Sequence, residues 1–282
     1  MGAVRVVLVG GHESADGADL APVVQQLPEA AVSTPGRSLL SQVRAALAGS
    51  DAPVVVLPMT WGRDPVMIAE TARTLRWVAG GDAHGRVALS EPFGTTDHLI
   101  ALLRTAATRT ATRWPGSGLV VSAPRASPFD DAELHRVAHL VRVHGAGLEI
   151  GVACVGEPAD LTLAVDRVRA LRPGHVAVVP AGFATACPEA DALADVDFVG
   201  PLMTTSAVLR VVRERTAGAL HDLGHGHDGI AAGLDADHGH GYAHSHGPDG
   251  DHTHTHGDHA HAHAPHAPHP DPHATSHASA LG

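Results

Sequence analysis

The chain has 282 residues, 44% of them hydrophobic and 3% aromatic, and a formal charge of −11 at pH 7 with histidine neutral. An acidic balance excludes the basic footprint of a nucleic-acid binder, and no apolar run approaches the roughly 20 residues of a membrane-spanning helix. Cys154 and Cys187 form neither a Cys-x-x-Cys pair nor a disulfide framework, and no signal peptide is recognisable, so a reducing cytoplasm is the expected setting.

Short apolar runs alternate with helical patterns along the first 220 residues. Runs at Val4–Val9, Val54–Leu57, Val87–Leu89, Leu119–Ser122, Leu148–Cys154, Val176–Val179 and Phe198–Val199 read as buried parallel strands. Between them Ser38 is expected to cap a helix over Leu39–Leu47 that ends at Gly49. Asp64 followed by Pro65 makes an N-cap with proline at the first helical position. Asp130 and Glu133 are expected to form a capping box for a helix ending at Gly145, and Asp160 to start Leu161–Leu171. The alternation predicts an α/β fold of open, mostly parallel sheets with helices on both faces.

The pattern also repeats. Val54-Val-Val-Leu-Pro58 answers Val176-Ala-Val-Val-Pro180, and Ser90-Glu-Pro-Phe-Gly94 answers Val199-Gly-Pro-Leu-Met203, each of the latter followed by threonines and a helix. Two similar lobes are therefore expected, at residues 1–115 and 116–220, with a cleft at the carboxyl ends of their strands. Residues 221–282 hold 17 of the 24 histidines and eight aspartates, with no Lys, Arg or Glu. Such a composition cannot bury a core and predicts a disordered tail. His252, His254, His256, His259, His261 and His263 offer an imidazole at every second residue, a ligand suited to Co, Ni, Zn, Cu and Fe.

Three strand ends carry the chemistry-bearing residues: Gly10-Gly11-His12-Glu13-Ser14, Pro58-Met-Thr-Trp-Gly-Arg63-Asp64 and Glu91-Pro-Phe-Gly94. A histidine at the end of a first buried strand can bind a metal or take a proton. His98, His135 and His139 read as surface residues of helices. Ser14 has no triad spacing, and Cys187 reads as an incidental thiol.

Val7-Leu-Val-Gly-Gly-His12-Glu-Ser14 resembles the first strand and His-Gly-Ser-Arg loop of the sirohydrochlorin chelatases, the ATP-independent class II enzymes of cobalamin and siroheme synthesis. Glu91-Pro-Phe-Gly94 with its following helix is similar to their Pro-Leu-Gly turn. The segment Val121-Ser-Ala-Pro-Arg125 onward to Leu134 is similar to the stretch that opens the second half of the long members, and long members often end in a His-rich tract. Two departures stand out. Glu13 replaces the family's glycine after the histidine, and Gly62-Arg63-Asp64 stands where the family places its second catalytic histidine.

The resemblance implies insertion of a divalent metal into sirohydrochlorin or a related tetrapyrrole. Co²⁺ is the first choice and Fe²⁺ or Ni²⁺ the alternatives; the metal is a substrate, and no organic cofactor is implied. His12 and Asp64 are the expected catalytic pair, Asp64 also being an N-cap. His12, Glu13 and Glu91 are the expected metal ligands, and Arg63, Arg37 and Arg125 the clamps for substrate carboxylates. Pro124-Arg125 stands where a second His12 would be, so the second lobe is expected to be structural and the protein a monomer. The rival reading is a non-catalytic protein that stores or delivers cobalt or nickel.

Overall fold

Alternate residues of the central strands feed opposite faces of each sheet, and that alternation sets the architecture. The structure is a computed structural model that describes residues 4–81, 83–172 and 174–237. Its first sheet contains β1 (Arg5–Gly10), β2 (Ala30–Ser33), β3 (Val54–Met59) and β4 (Val87–Leu89), in the order β2-β1-β3-β4. The second contains β5 (Gly118–Pro124), β6 (Glu149–Val155), β7 (Val176–Pro180) and β8 (Val196–Phe198), in the matching order β6-β5-β7-β8. Every pairing is parallel. The fold is α/β with two like lobes, as the repeat predicts.

The helices are α1 (Ala21–Val24), α2 (Arg37–Ala48), α3 (Pro65–Ala79), α4 (Thr96–Arg113), α5 (Pro128–His144), α6 (Pro158–Leu171), α7 (Pro188–Asp191), α8 (Thr205–Gly224) and α9 (Ile230–Leu234). Val7, Val9, Val54 and Val56 face α2 and α3, packing on Leu39, Val43, Met67 and Leu75. Val6, Leu8, Leu57 and Met59 face the other way, into one core shared with Leu119, Val121, Ala177 and Val179 of the second sheet. Leu99 and Leu103 of α4 and Val208 and Val212 of α8 fill that shared core. The long helix after each sheet crosses over: α4 packs on β7 and α5, and α8 packs on β3 and β4. No helix among the described residues is long and apolar enough to cross a membrane.

Several expectations are corrected. β2 has no apolar run to betray it; Ala30, Ala31 and Val32 are half-buried at the sheet edge. Gly36, not Ser38, precedes α2, and the Ser38 hydroxyl accepts instead from Ser33 at 2.9 Å. Ser127 caps α5, accepting from the Asp130 N–H at 3.2 Å, so Asp130 is the third helical residue. Glu157 precedes α6, which begins three residues before the expected start at Leu161. In these last two helices a proline at the first helical position marks the true start, Pro128 or Pro158, because its fixed φ and missing N–H suit that place.

The tail boundary at 221 is also corrected. α8 continues to Gly224, and the chain then folds back along β4, where the Leu89 N–H donates to the Asp228 carbonyl at 2.8 Å. α9 packs on α3, with Ile230 only 5% exposed in the core above α3 and β4. His252, His254, His256, His259, His261 and His263 lie outside the described residues. Truncation after Leu220 is therefore expected to cost about 3 kcal/mol, from the burial of one isoleucine and a lost strand-edge hydrogen bond. Truncation after Asp237 is expected to leave stability unchanged. Thermal melts of both shortened chains check this, and equal midpoints would contradict it.

Candidate metal centre

β1 and β3 are adjacent and parallel, so the loops that leave their carboxyl ends meet. The first loop carries His12 and Glu13, and the second carries Thr60, Trp61, Arg63 and Asp64. Asp64 begins α3, and its Oδ1 accepts from the Met67 N–H at 3.0 Å, an N-cap bond. Its Oδ2 accepts from the His12 backbone N–H at 3.3 Å and lies 3.1 Å from His12 Nδ1. A Cβ on Gly11 would sit 2.1 Å from that same Oδ2, so only glycine there lets the carboxylate reach the imidazole. Asp64 is thus both helix cap and histidine partner; the two roles weighed in the sequence coexist because its two oxygens divide them.

The consequence for His12 is a fixed tautomer. Nδ1–H donates to Asp64, which leaves the lone pair on Nε2. Nε2 is buried and has no hydrogen-bond partner among the described residues. Burial works against the imidazolium, but the hydrogen bond and charge of Asp64, with Glu13 helping, outweigh it and raise the His12 pKa above 6.5. For Asp64, burial pushes upward, and the bond and charge of His12 with two backbone N–H groups overcome it, holding the pKa below 3.8.

The sign of the linkage follows. A raised histidine pKa stabilises the fold below 6.5, and that contribution is lost as pH rises through the folded value. A lowered carboxylate pKa stabilises above 3.8 and is lost as pH falls through its folded value. The pair contributes most between those two limits. Asp64→Asn removes the carboxylate charge and leaves burial opposed chiefly by Glu13, so the His12 pKa should fall. A histidine proton titration by NMR reads this, and an unmoved His12 resonance would contradict it.

Glu13 is turned inward and 1% exposed. Its Oε2 accepts from the Trp61 N–H at 2.6 Å, and its backbone carbonyl accepts from the Phe183 N–H of the second lobe at 2.9 Å. Burial pushes its pKa above 4.5, against the pull of Arg63. Arg63 is 1% exposed, lies 3.8 Å from Glu13 Oε1 through NH1, and donates to the Ala181 carbonyl at 3.2 Å. This corrects the expectation of Arg63 at a cleft rim: no part of its guanidinium meets solvent, and it ties the two lobes together. A Cβ on Gly182 would meet the Glu13 carbonyl at 2.3 Å, so the seam is closed at backbone distance. Beside it remains a cavity of about 20 Å³ lined by Trp61, Phe183 and Leu202.

The structure thus brings His12, Glu13, Arg63 and Asp64 together. Glu91 is not part of that group as expected: its exposed carboxylate pairs with Arg215 of α8. Arg125, at the end of β5, pairs with Asp160 at 2.8 Å and is half-exposed. Arg37 opens α2 and is exposed. Among the described residues, no group of three or more His, Cys, Asp or Glu is arranged to hold a metal ion. Burial pushes the Cys154 thiol up to about 11 and raises Cys187 as well. His98 is used locally, its Nδ1 accepting from the Thr95 N–H at 3.2 Å in a capping box.

Sequence reasoning missed the aromatic cluster around the seam. Trp61 stacks on Phe183 at 5.6 Å, and Phe93 meets both edge-on. Three aromatics after three different strands, in a chain with four Phe and three Trp, were the available signal. Four buried polar atoms without a hydrogen-bond partner among the described residues also gather on these two loops: His12 Nε2, Glu13 Oε1, Trp61 Nε1 and Arg63 Nε, although Glu13 Oε1 faces Arg63 NH1 at 3.8 Å.

No family model matches the chain, and no curated protein matches it. Among solved structures it is similar to the sirohydrochlorin chelatase SirB from Bacillus subtilis subspecies spizizenii, crystallised in complex with cobalt. That likeness covers 78% of this chain and 95% of the other, at 11% identity and a TM-score of 0.47.

Proposed function

We propose that the protein is an ATP-independent chelatase that inserts a divalent metal, Co²⁺ first among Co²⁺, Fe²⁺ and Ni²⁺, into sirohydrochlorin or a related tetrapyrrole in the cytoplasm. The single observation that carries the reading is His12: Nδ1 pinned to Asp64, Nε2 unpartnered at the end of the first strand. Insertion requires two pyrrolic protons to leave and a metal to be passed to four nitrogens. A neutral imidazole Nε2 can hold the incoming ion and afterwards accept a proton, and Asp64 stabilises the imidazolium that results. One histidine without a further strong ligand holds an ion weakly, which suits transfer. Arg37 and Arg125 remain the candidates for macrocycle carboxylates. The His-rich segment beyond residue 237 would raise the local metal concentration.

No macrocycle can reach His12 Nε2 while that atom is buried. Catalysis on this reading needs the seam to part at the Glu13–Phe183 and Arg63–Ala181 bonds. The closed seam is also what favours the second reading, a protein that stores or delivers cobalt or nickel. Anaerobic assay of sirohydrochlorin with each metal separates the two. The chelatase accelerates the spectral change well beyond free metal at equal concentration. A rate equal to that of free metal with each of the three ions would leave only storage.

A further inference from the structure

The two lobes carry equivalent cavities of opposite charge. Residues 105, 106, 109, 110 and 113 of α4 line one, and 214, 215, 218, 219 and 222 of α8 line the other. A constant offset of 109 positions relates the two sets, and the same offset relates Pro201 to Pro92 and the helix caps Thr204 to Thr95. In the cavity under α8, Glu91, Glu214 and Asp222 accompany Arg215, and the Glu91 carboxylate closes an ion pair with Arg215. In the cavity under α4 the position of Glu91 is Gly200, that of Glu214 is Thr105, and that of Asp222 is Arg113. The acids are gone and two arginines, Arg109 and Arg113, line the space. Neither pairs with a carboxylate among the described residues.

A second observation points to a ligand there. Thr105, Thr108 and Thr112 of α4 each turn the hydroxyl back to the carbonyl four residues earlier, at 2.9–3.0 Å. Thr110, on the same helix and 2% exposed, does not; its Oγ1 is buried without a partner among the described residues, and Thr110 lines the cavity. Arg113 is held over the Trp114 ring at 4.2 Å, which limits its freedom. Leu102, Ala106, Val179 and Val199 supply apolar wall, and the space is about 190 Å³.

We propose that this cavity binds a small carboxylate on a short apolar stem, the ligand's carboxylate held by Arg109 and Arg113. Arg109 and Arg113 supply the forked donors that match a carboxylate, and Thr110 supplies a buried hydroxyl. The site is separate from His12 and does not depend on the chelatase reading.

Calorimetric titration of the full-length, metal-free protein at pH 8 tests it with butyrate, succinate and inorganic phosphate. Butyrate or succinate is expected to bind more tightly than phosphate. Arg109→Gln and Arg113→Gln should each weaken binding by about tenfold, the usual scale of a charge-assisted hydrogen bond. Gly200→Asp returns an internal carboxylate and should weaken binding at least as much. Gly200 has φ +91°, so Gly200→Ala carries the same backbone strain without the charge and should bind like wild type. Thr110→Val should weaken binding while raising the melting temperature of the ligand-free protein, because an unsatisfied hydroxyl is removed. Absence of binding by both carboxylates, phosphate binding as tight as butyrate, or affinity unchanged in both arginine variants overturns the proposal. So does equal loss in Gly200→Asp and Gly200→Ala.

Discussion

Replacing His12 with alanine is expected to slow metal insertion by about 10²–10⁴-fold, the contribution usual for a positioned general base, and to leave the fold intact. The stability cost should be small. Asp64 keeps the Met67 and His12 backbone N–H donors after the imidazole is gone, and the substitution also deletes the orphaned Nε2. The net loss is then about 1 kcal/mol, or about 2–4 °C in melting temperature for a domain of this size. Added imidazole should restore part of the rate, because a free ring can occupy the space and offer the same nitrogen. Near-wild-type insertion by His12→Ala would remove His12 from the chemistry, and with it the observation on which the proposed function stands.

Much of the architecture could be read from residue pattern because it depends on local signals. Buried strands such as Val54-Val-Val-Leu57 have no other reading at that length, and Asp64-Pro65 marks a helix start by its own covalent geometry. The two-fold repeat was visible because Pro92 and Pro201 stand before similar helices. β2 was hidden because an edge strand needs only one apolar face, and Ala30-Ala-Val-Ser33 supplies little of one. The site was legible only in part. Position at a strand end brings His12 and Asp64 within contact, since adjacent parallel strands bring their loops together. Side-chain direction was not legible. Glu13 and Arg63 were expected at an open cleft, yet both turn inward, because the second lobe supplies the Ala181 carbonyl and the Phe183 N–H that complete them. Those partners lie more than a hundred positions away, beyond the reach of any spacing argument. Glu91 was misplaced for a similar reason: its partner Arg215 sits on a helix that crosses over from the other half.

Arg63→Met is expected to be the most destabilising single change at the site, at about 3–5 kcal/mol, the cost of stripping one partner from a buried ion pair. Against a typical domain stability of about 5–15 kcal/mol, that is enough to populate unfolded chain on mild heating. Methionine fills most of the volume, so the loss measures charge and hydrogen bonding more than packing. Two carbonyls, Ala181 at 3.2 Å and Asp130 at 3.5 Å, lose their donor, and Glu13 loses the Arg63 charge that helps to hold its pKa down. Burial, then less opposed, pushes the Glu13 pKa further above 4.5.

The pH dependence follows with a definite sign. An acid whose folded pKa is raised binds its proton more tightly in the native state. Its penalty is therefore absent below 4.5 and grows as pH rises toward the folded value, where it is complete. The stability gap between wild type and Arg63→Met should be wider at pH 7 than at pH 4, since titrations common to both chains cancel in the difference. Adding Glu13→Gln to Arg63→Met should recover a substantial part of the neutral-pH loss, because the uncompensated charge is then gone, while the pH-independent loss of the Ala181 and Asp130 bonds remains. Denaturant melts of the four chains at the two pH values supply the cycle. A gap that does not change with pH, together with no recovery in the double variant, would mean that the seam is held by packing of Trp61 and Phe183 and not by the buried pair.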